Sequence, residues 1–314
     1  MLRFAFLLLA AVLLVRPAAA ADPLRVILDW YVNPDHAPLI IAREKGFFAA
    51  EDLDVEIIAP SDPNDPPKLV AAGSADIGVS YQPQLHFQAQ EGLPLVRIGT
   101  LIGTPLNVLL VAADGPVQQI ADLKGRKVGF SVGGVEEAIV GELLRKHGLQ
   151  LSDVEMINVN FSLTPALVAG QVDAVIGAFR NFELTQMELA GRKGRAFFIE
   201  DEGIPPYDEL IYVANKASLD DPRLKRFLAA VELATFWILN HPDEAWDVFR
   251  ATDKSLDDEL NRRAWYDTLR RFSHSPAALD TGRYARFAAF LEAQGLIKEP
   301  PPVSAYAVDL NAGG

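Results

Sequence analysis

Short apolar runs alternate along this chain with longer stretches whose apolar positions recur at helical spacing. Runs at Leu24–Leu28, Val55–Ile58, 75–79, 95–101 and 106–112 read as strands, with helices at 38–46, in the 60s and at 82–91 between them. A second set follows: strands 126–130, 154–159, 172–177 and 195–199, and helices 134–147, 163–170 and 181–190. Strands alternating with helices at this spacing predict sheets covered on both faces and mostly parallel. Leu210–Ala214 reads as one more strand, and the remainder is helical, with helices predicted from Asp221-Pro222, from His241-Pro242, and within 256–271 and 280–294.

One pattern occurs twice. Leu69-Val-Ala-Ala-Gly-Ser-Ala-Asp-Ile-Gly-Val-Ser-Tyr81 and Leu167-Val-Ala-Gly-Gln-Val-Asp-Ala-Val-Ile-Gly-Ala-Phe179 each give an apolar helix end, a glycine, an aspartate, a buried strand and an aromatic. Two such units predict two α/β lobes. Ligands bind outside the carboxyl ends of strands in such sheets, so Tyr81 and Phe179 should emerge at a shared cleft and clamp a flat molecule. The breaker Asp114-Gly-Pro116 suggests the lobe boundary. Lobe 1 is then expected to comprise 22–112 and 210–314, with the C-terminal helices packed on it, and lobe 2 to comprise 113–209. Two crossings make a hinge.

Residues 1–21 read as an export signal cleaved near Ala20–Asp22: Arg3, an apolar run from Phe4 to Val15, then Pro17-Ala-Ala-Ala-Ala21. That run is shorter than the roughly 20 residues a membrane span needs. The expected location is the periplasm. With no cysteine in 314 residues, disulfides, thiol nucleophiles and a lipid-bearing cysteine are excluded. A formal charge of −13, more negative still without Arg3 and Arg16, argues against nucleic acid and anionic membranes as partners. Sustained heptads are absent, so a monomer is expected.

Candidate chemistry is of a binding kind. Trp30, Tyr81 and Phe179 fall at predicted strand ends, where a planar heterocycle stacked on them would gain roughly 0.5–1.5 kcal/mol per ring beyond burial. Core packing is the alternative for any one of them. Glu183 opens a helix, where a carboxylate is stabilised by about 0.3–1 kcal/mol; it could equally accept an N–H from a ligand edge. Asn33, His36, Gln82 and Asn181 supply polar groups in cleft loops, although an Asn or His there can simply form a turn or cap. Asp29 ends a strand and could orient a loop. Glu136 and Glu137 begin a helix after Gly129-Phe-Ser-Val-Gly-Gly134, where they would repel a phosphate or sulfonate and otherwise read as a solvated helix start. The histidines at 36, 86, 147, 241 and 274 lack metal-ligand spacing, and no nucleophile elbow, H-E-x-x-H or phosphate loop occurs. No cofactor, metal or catalytic residue is expected.

Asp29-Trp-Tyr-Val-Asn-Pro-Asp-His36, Glu44-Lys-Gly-Phe-Phe48, Ala59-Pro-Ser-Asp-Pro-Asn-Asp65, Ser80-Tyr-Gln-Pro-Gln84 and Gly177-Ala-Phe-Arg-Asn-Phe-Glu183 resemble the thiamine-pyrimidine group of type II periplasmic binding proteins. That group includes the formylaminopyrimidine-binding subunits of ABC importers. The resemblance covers most of the chain and implies a two-lobed binding protein that delivers a thiamine-derived aminopyrimidine to a permease and its ATPase. It strengthens the assignment of Glu183 to a ligand, and Tyr207, in the returning segment Gly203–Asp208, joins the candidate set. The same superfamily contains an enzyme that builds the thiamine pyrimidine, with a cysteine-rich motif before the returning strand and a lysine after the first glycine–aspartate strand. This chain has Gly203-Ile-Pro-Pro-Tyr-Asp208 and Ser80 at those places, which speaks against that chemistry. A sulfonate, nitrate or flavin remains an alternative ligand.

Overall fold

The structure, a computed structural model, describes residues 21–311. The expected export segment, Ala21 apart, lies outside the described residues. Among those described, no helix is long and apolar enough to cross a membrane.

The chain begins β1 (Asp22–Ile27), α1 (Ala37–Glu44), α2 (Phe47–Ala50), β2 (Leu53–Ile58), α3 (Pro66–Ala71), β3 (Ile77–Ser80), α4 (Gln82–Gln90) and β4 (Leu95–Ile102). A second series follows: β5 (Asn107–Ala112), β6 (Lys127–Phe130), α5 (Val135–Lys146), β7 (Glu155–Asn158), α6 (Leu163–Val168), β8 (Ala174–Phe179), α7 (Glu183–Leu189) and β9 (Gly194–Phe198). Then come β10 (Leu210–Asn215), α8 (Pro222–Asn240), α9 (Pro242–Arg250), α10 (Glu259–Thr268) and α11 (Thr281–Ala293). The local reasons are visible in the sequence. Prolines fill the first turns of α3, α4, α8 and α9, where a missing N–H costs nothing. Asp221 caps α8 by accepting from the Arg223 amide at 2.9 Å.

Two five-stranded sheets result, in the orders β2-β1-β3-β10-β4 and β7-β6-β8-β5-β9. In each, four strands run one way and the fourth-placed strand runs against both neighbours. Those antiparallel members, β10 and β5, are the strands that arrive from the other lobe. A chain entering from the cleft must run away from it, opposite to strands that end there.

This corrects the boundary expected at Asp114. β5 pairs with β8 and β9, so the first crossing is at 103–106 and the strand at 106–112 belongs to lobe 2. Every residue of β5 is buried. Its uniform hydrophobicity marked a central strand without revealing which sheet it completes. The C-terminal helices also depart from expectation. Phe227, Val231 and Ile238 of α8 and Phe249 of α9 do join the lobe-1 core. In α11, however, Tyr284 packs with the lobe-1 residues Leu85 and Leu95, while Phe287 and Leu291 pack with Val140 and Leu144 of lobe 2. That helix straddles the lobes instead of sitting on one.

Candidate functional site

Where the strand ends of the two lobes face one another, a cavity encloses about 710 Å³ of space, its mouth included. Its walls come from the exits of β1, β3, β6 and β8 and from the first residues of both crossing strands.

On the lobe-1 side, Asn33 accepts the Asp35 amide at 2.8 Å and shapes the turn into α1. The Asn33 amide donates to His36 Nδ1 (3.3 Å), which leaves Nε2–H to donate to Asp29 Oδ1 (2.9 Å). Tyr81 donates its hydroxyl to the other oxygen, Asp29 Oδ2, at 2.9 Å. Asp29 thus stands in the cavity wall with both oxygens engaged. Burial raises the Tyr81 phenol well above its usual range, so it remains a donor.

The lobe-2 and crossing sides carry three glutamates of one design. Glu136 Oε2 accepts the amides of Ser131 (2.7 Å) and Val132 (3.1 Å). Glu183 Oε2 accepts the Phe179 amide at 2.7 Å. Glu209 Oε2 accepts the amides of Leu106 (2.5 Å) and Asn107 (2.9 Å) and the Tyr207 hydroxyl (3.1 Å). In each, one oxygen is fixed by protein donors; for Glu136 and Glu209 no hydrogen-bond donor among the described residues reaches the other. All three side chains are buried and line the cavity. Burial pushes Glu136 and Glu183 up to about 8 and Glu209 to about 7, against the opposing effect of the amides. Asp35, also in the wall, is pushed to about 6 by burial, partly offset by His36, Asn181 and Thr268. Among the described residues, none that lines the cavity is Lys, Arg or His.

Trp30, Asn33, Tyr81, Phe179, Glu183 and Tyr207 all line the cavity. The rings do not form the flat clamp expected of them. Tyr81 and Phe179 lie edge to face, with centroids 6.5 Å apart and planes at 83°, so a flat ligand can stack on one ring and meet only the edge of the other. Trp30 crosses the cleft to meet Phe161 edge-on at 4.6 Å.

His36, Gln82 and Asn181 stand outside the wall, contrary to expectation, because each turns a donor or acceptor to a protein partner. His36 positions Asp29. Gln82 accepts the Asp208 amide at 2.8 Å and pairs with His86 at 3.2 Å, tying α4 to the second crossing. Asn181 turns toward lobe 1 and donates to Asp35 Oδ1 and Thr268 Oγ1, both at 2.7 Å. It therefore holds the lobes together, as does Asn64, which donates to the Ser131 carbonyl (3.1 Å) and accepts the Gly133 amide (2.9 Å).

The sequence reading missed Glu209, Asp35 and Asn107 and took Glu136 for a solvated helix start. For Glu209 a signal existed: Asp208-Glu209 runs directly into the apolar Leu210-Ile-Tyr-Val-Ala214, where a carboxyl is forced into the interior.

Two lobes, two crossings and an enclosed cleft define the class as a two-lobed binding-protein fold. The fold is similar to the alkanesulfonate-binding protein SsuA from Xanthomonas axonopodis pv. citri bound to MOPS: TM-score 0.72 at 17% identity, covering 92% of this chain and 99% of that one. The chain belongs to the family described as NMT1/THI5 like, whose match spans residues 33–245. A Haemophilus influenzae protein named for thiamine biosynthesis is 49% identical, over 97% of this chain and 98% of its own length. A formylaminopyrimidine-binding protein of Halalkalibacterium halodurans is 34% identical, over 73% and 70%. A 4-amino-5-hydroxymethyl-2-methylpyrimidine phosphate synthase of Legionella pneumophila is 26% identical, over 83% and 85%.

Proposed function

We propose that this protein is the periplasmic ligand-capturing subunit of an ABC importer, and that it closes on a thiamine-derived aminopyrimidine for salvage. One observation carries the reading: an enclosed cavity walled by aromatic rings and carboxyls, without a cationic side chain among its described lining residues. Such a wall matches a weakly basic, N–H-bearing heterocycle and gives a sulfonate, nitrate or phosphate no cation among the described lining residues to pair with. The printed name of the Halalkalibacterium relative points the same way. Trp30, Tyr81 and Phe179 supply ring contacts, Glu183 accepts from the aminopyrimidine edge, and Asn33 and Tyr207 hold the wall. The ligand leaves unchanged to a permease driven by an ATPase.

The synthase relatives raise the enzymatic alternative. Against it, Ser80 turns into α4 and donates to Gln84 at 3.1 Å, and the chain has no cysteine. Calorimetric titration of the purified protein with an aminopyrimidine and with an alkanesulfonate tests the reading. Pyrimidine binding with no sulfonate response is expected; the reverse, or conversion of the pyrimidine to a new product with added pyridoxal phosphate and iron, overturns it.

A further inference from the structure

The carboxyls of the cavity fall into two groups. Glu183, opening α7, feels the charge of Asp35 from the turn before α1, and both line the cavity. Glu136 and Glu209 flank one contact between strands: the Glu136 carboxyl fills the space over Gly177, whose amide donates to Asn107 Oδ1, and the Asn107 amide donates to Glu209, whose charge Glu136 feels. They come from different elements, the first turn of α5 and the residue before β10.

A single aminopyrimidine edge offers its N–H groups on one side of a flat ring. In the reading above that edge goes to Glu183, which leaves the Glu136–Glu209 end to whatever the ring carries as a substituent. Unless that substituent donates, at least one buried carboxyl oxygen there would face the ligand without a donor. A buried acceptor left so costs about 1–3 kcal/mol. The pair is also built to stay where it is. Glu136 is held by two backbone amides, and Glu209 by two amides and a phenol. The remaining oxygens are therefore aimed by the backbone and cannot swing away.

We propose that Glu136 and Glu209 form a second, cation-accepting subsite, and that the ligand is an aminopyrimidine whose ring substituent carries a primary ammonium group. The proposal rests on the aminopyrimidine reading and narrows it. An ammonium has three N–H donors on one atom and can bridge two carboxyl oxygens. A hydroxymethyl group brings one donor and no charge, so it draws no proton off the pair; an acid or phosphate finds no cationic side chain among the described lining residues.

Charge balance gives the inference an independent readout. Burial raises both groups and the charge of Glu209 raises Glu136 further, so near pH 7 in the empty cavity Glu136 holds its proton while Glu209, at about 7, shares one with solvent. The other groups acting on them are Glu137, which caps the Gly134 amide at the start of α5, and Arg180, which is paired with Glu200 behind Glu209. A cation arriving between the two drives a proton off, so binding releases about one proton at this end.

The test is calorimetric titration near pH 7 with three probes sharing one 4-amino-2-methylpyrimidine ring: the 5-aminomethyl, 5-hydroxymethyl and N-formylaminomethyl compounds. Runs in buffers of different ionisation enthalpy count the protons. The aminomethyl probe is expected to bind at least tenfold more tightly than the hydroxymethyl one and to release more protons. Glu136→Gln and Glu209→Gln should shrink that preference below threefold, while Glu183→Gln weakens all three probes alike. Equal binding of the three probes, or a preference for the hydroxymethyl or formyl compound, overturns the second subsite while the aminopyrimidine reading stands. Failure of all three to bind the wild-type protein overturns that reading and the subsite with it. Should a variant not fold, the wild-type proton count still decides: equal release by aminomethyl and hydroxymethyl probes sinks the proposal.

Discussion

The unit Leu69–Tyr81 of lobe 1 and the unit Leu167–Phe179 of lobe 2 do the same structural work up to their last few residues, and then diverge. In both, a glycine in the left-handed region ends the helix, Gly73 at φ 71° and Gly170 at φ 69°. In both, the aspartate ties down the start of the neighbouring strand. Asp76 accepts the Arg25 amide at 2.8 Å, and Asp173 accepts the Lys127 amide at 3.0 Å. Lobe 2 then has one residue more before its aromatic. Val108 pairs with Ala178 and Leu110 with Val175, so Ile176 and Gly177 together face one residue of β5. That is a β-bulge, a device that re-aims side chains beside functional sites. Gly177 takes φ 86°, its amide donates to Asn107 Oδ1 at 2.9 Å, and its bare Cα leaves room for the Glu136 carboxyl. The lobe-1 strand has a tyrosine hydroxyl beside Asp29 at the corresponding place; the bulged strand has carboxyls. A repeated scaffold has been made unequal by a single inserted residue.

Breaking the bulge should have the largest effect. In Gly177→Ala the new Cβ would sit 2.2 Å from Glu136 Oε1, on a backbone that costs an alanine roughly 1–2 kcal/mol. Glu136 must leave its amides or the bulge must collapse. Aminopyrimidine affinity is expected to fall on the order of 100-fold, the scale of a lost charged hydrogen bond in a dry site. The lobe-1 counterpart, Gly78→Ala, clashes with Val70 Cγ2 at 2.9 Å and meets Pro66 O and Val213 Cγ2 at an ordinary 3.5 Å. It should cost about 1–3 kcal/mol of stability by overpacking and leave affinity alone. Titration and thermal unfolding of both variants decide the matter; equal losses of affinity would mean that the bulge carries no special role.

Next in size is Glu183→Gln, which keeps the Phe179 contact but cannot give up a proton to a basic ligand edge. Affinity for an aminopyrimidine should drop roughly tenfold, one charge-assisted hydrogen bond. An unchanged dissociation constant would reduce Glu183 to the first residue of α7.

How much of this was legible in the sequence follows the same divide. The duplicated units, their glycines and their strand–helix order are local signals, set by chirality and periodicity, and the chain shows them openly. Tyr81, Phe179 and Glu183 reach the cavity because strand ends and helix starts are fixed by those same signals. Partner choice at a distance was not legible. β5 is apolar on both faces and would fit either sheet. Asn181 and His36 look like ligand groups until the folded chain brings Thr268 and Asp35 to one and Asp29 to the other. Glu136 reads as an ordinary helix start because nothing local shows that the Gly129–Gly134 turn buries it.

The lobes should also differ in how pH acts on them. Glu136 and Glu183 keep a proton in the fold up to about 8, whereas the unfolded chain loses it near its ordinary value of about 4.3. Between those limits the folded state binds more protons, so stability falls as pH rises, by on the order of 1.4 kcal/mol per pH unit for each such group. Calorimetry on ligand-free protein is expected to give a lower Tm near pH 8.5 than near pH 6, with about 2–4 °C for each kcal/mol lost. Glu136→Gln should flatten the slope, since an amide does not titrate. A Tm that does not fall across this interval would place the glutamates in water.

The smallest effect tests the remaining difference between the two aromatics. Tyr81→Phe gives both lobes the same ring and removes the donor to Asp29 Oδ2, while His36 still serves Oδ1. Asp29 then has one buried oxygen without its bond, and its carboxyl is free to rotate toward the ligand or away from it. A neutral donor lost to a charged acceptor is worth roughly 1.5–3 kcal/mol when nothing replaces it, and less where a ligand N–H or water can step in. Asp29 faces the cavity, so replacement is open to it, and affinity should fall only about threefold to fivefold with Tm lowered slightly. The control is Phe179→Leu, which removes a ring without touching a hydrogen bond. If Tyr81→Phe costs nothing and Phe179→Leu costs a great deal, lobe 1 contributes shape alone. If the two losses are comparable, the hydroxyl on lobe 1 does for its side of the cavity what the bulge does for the other.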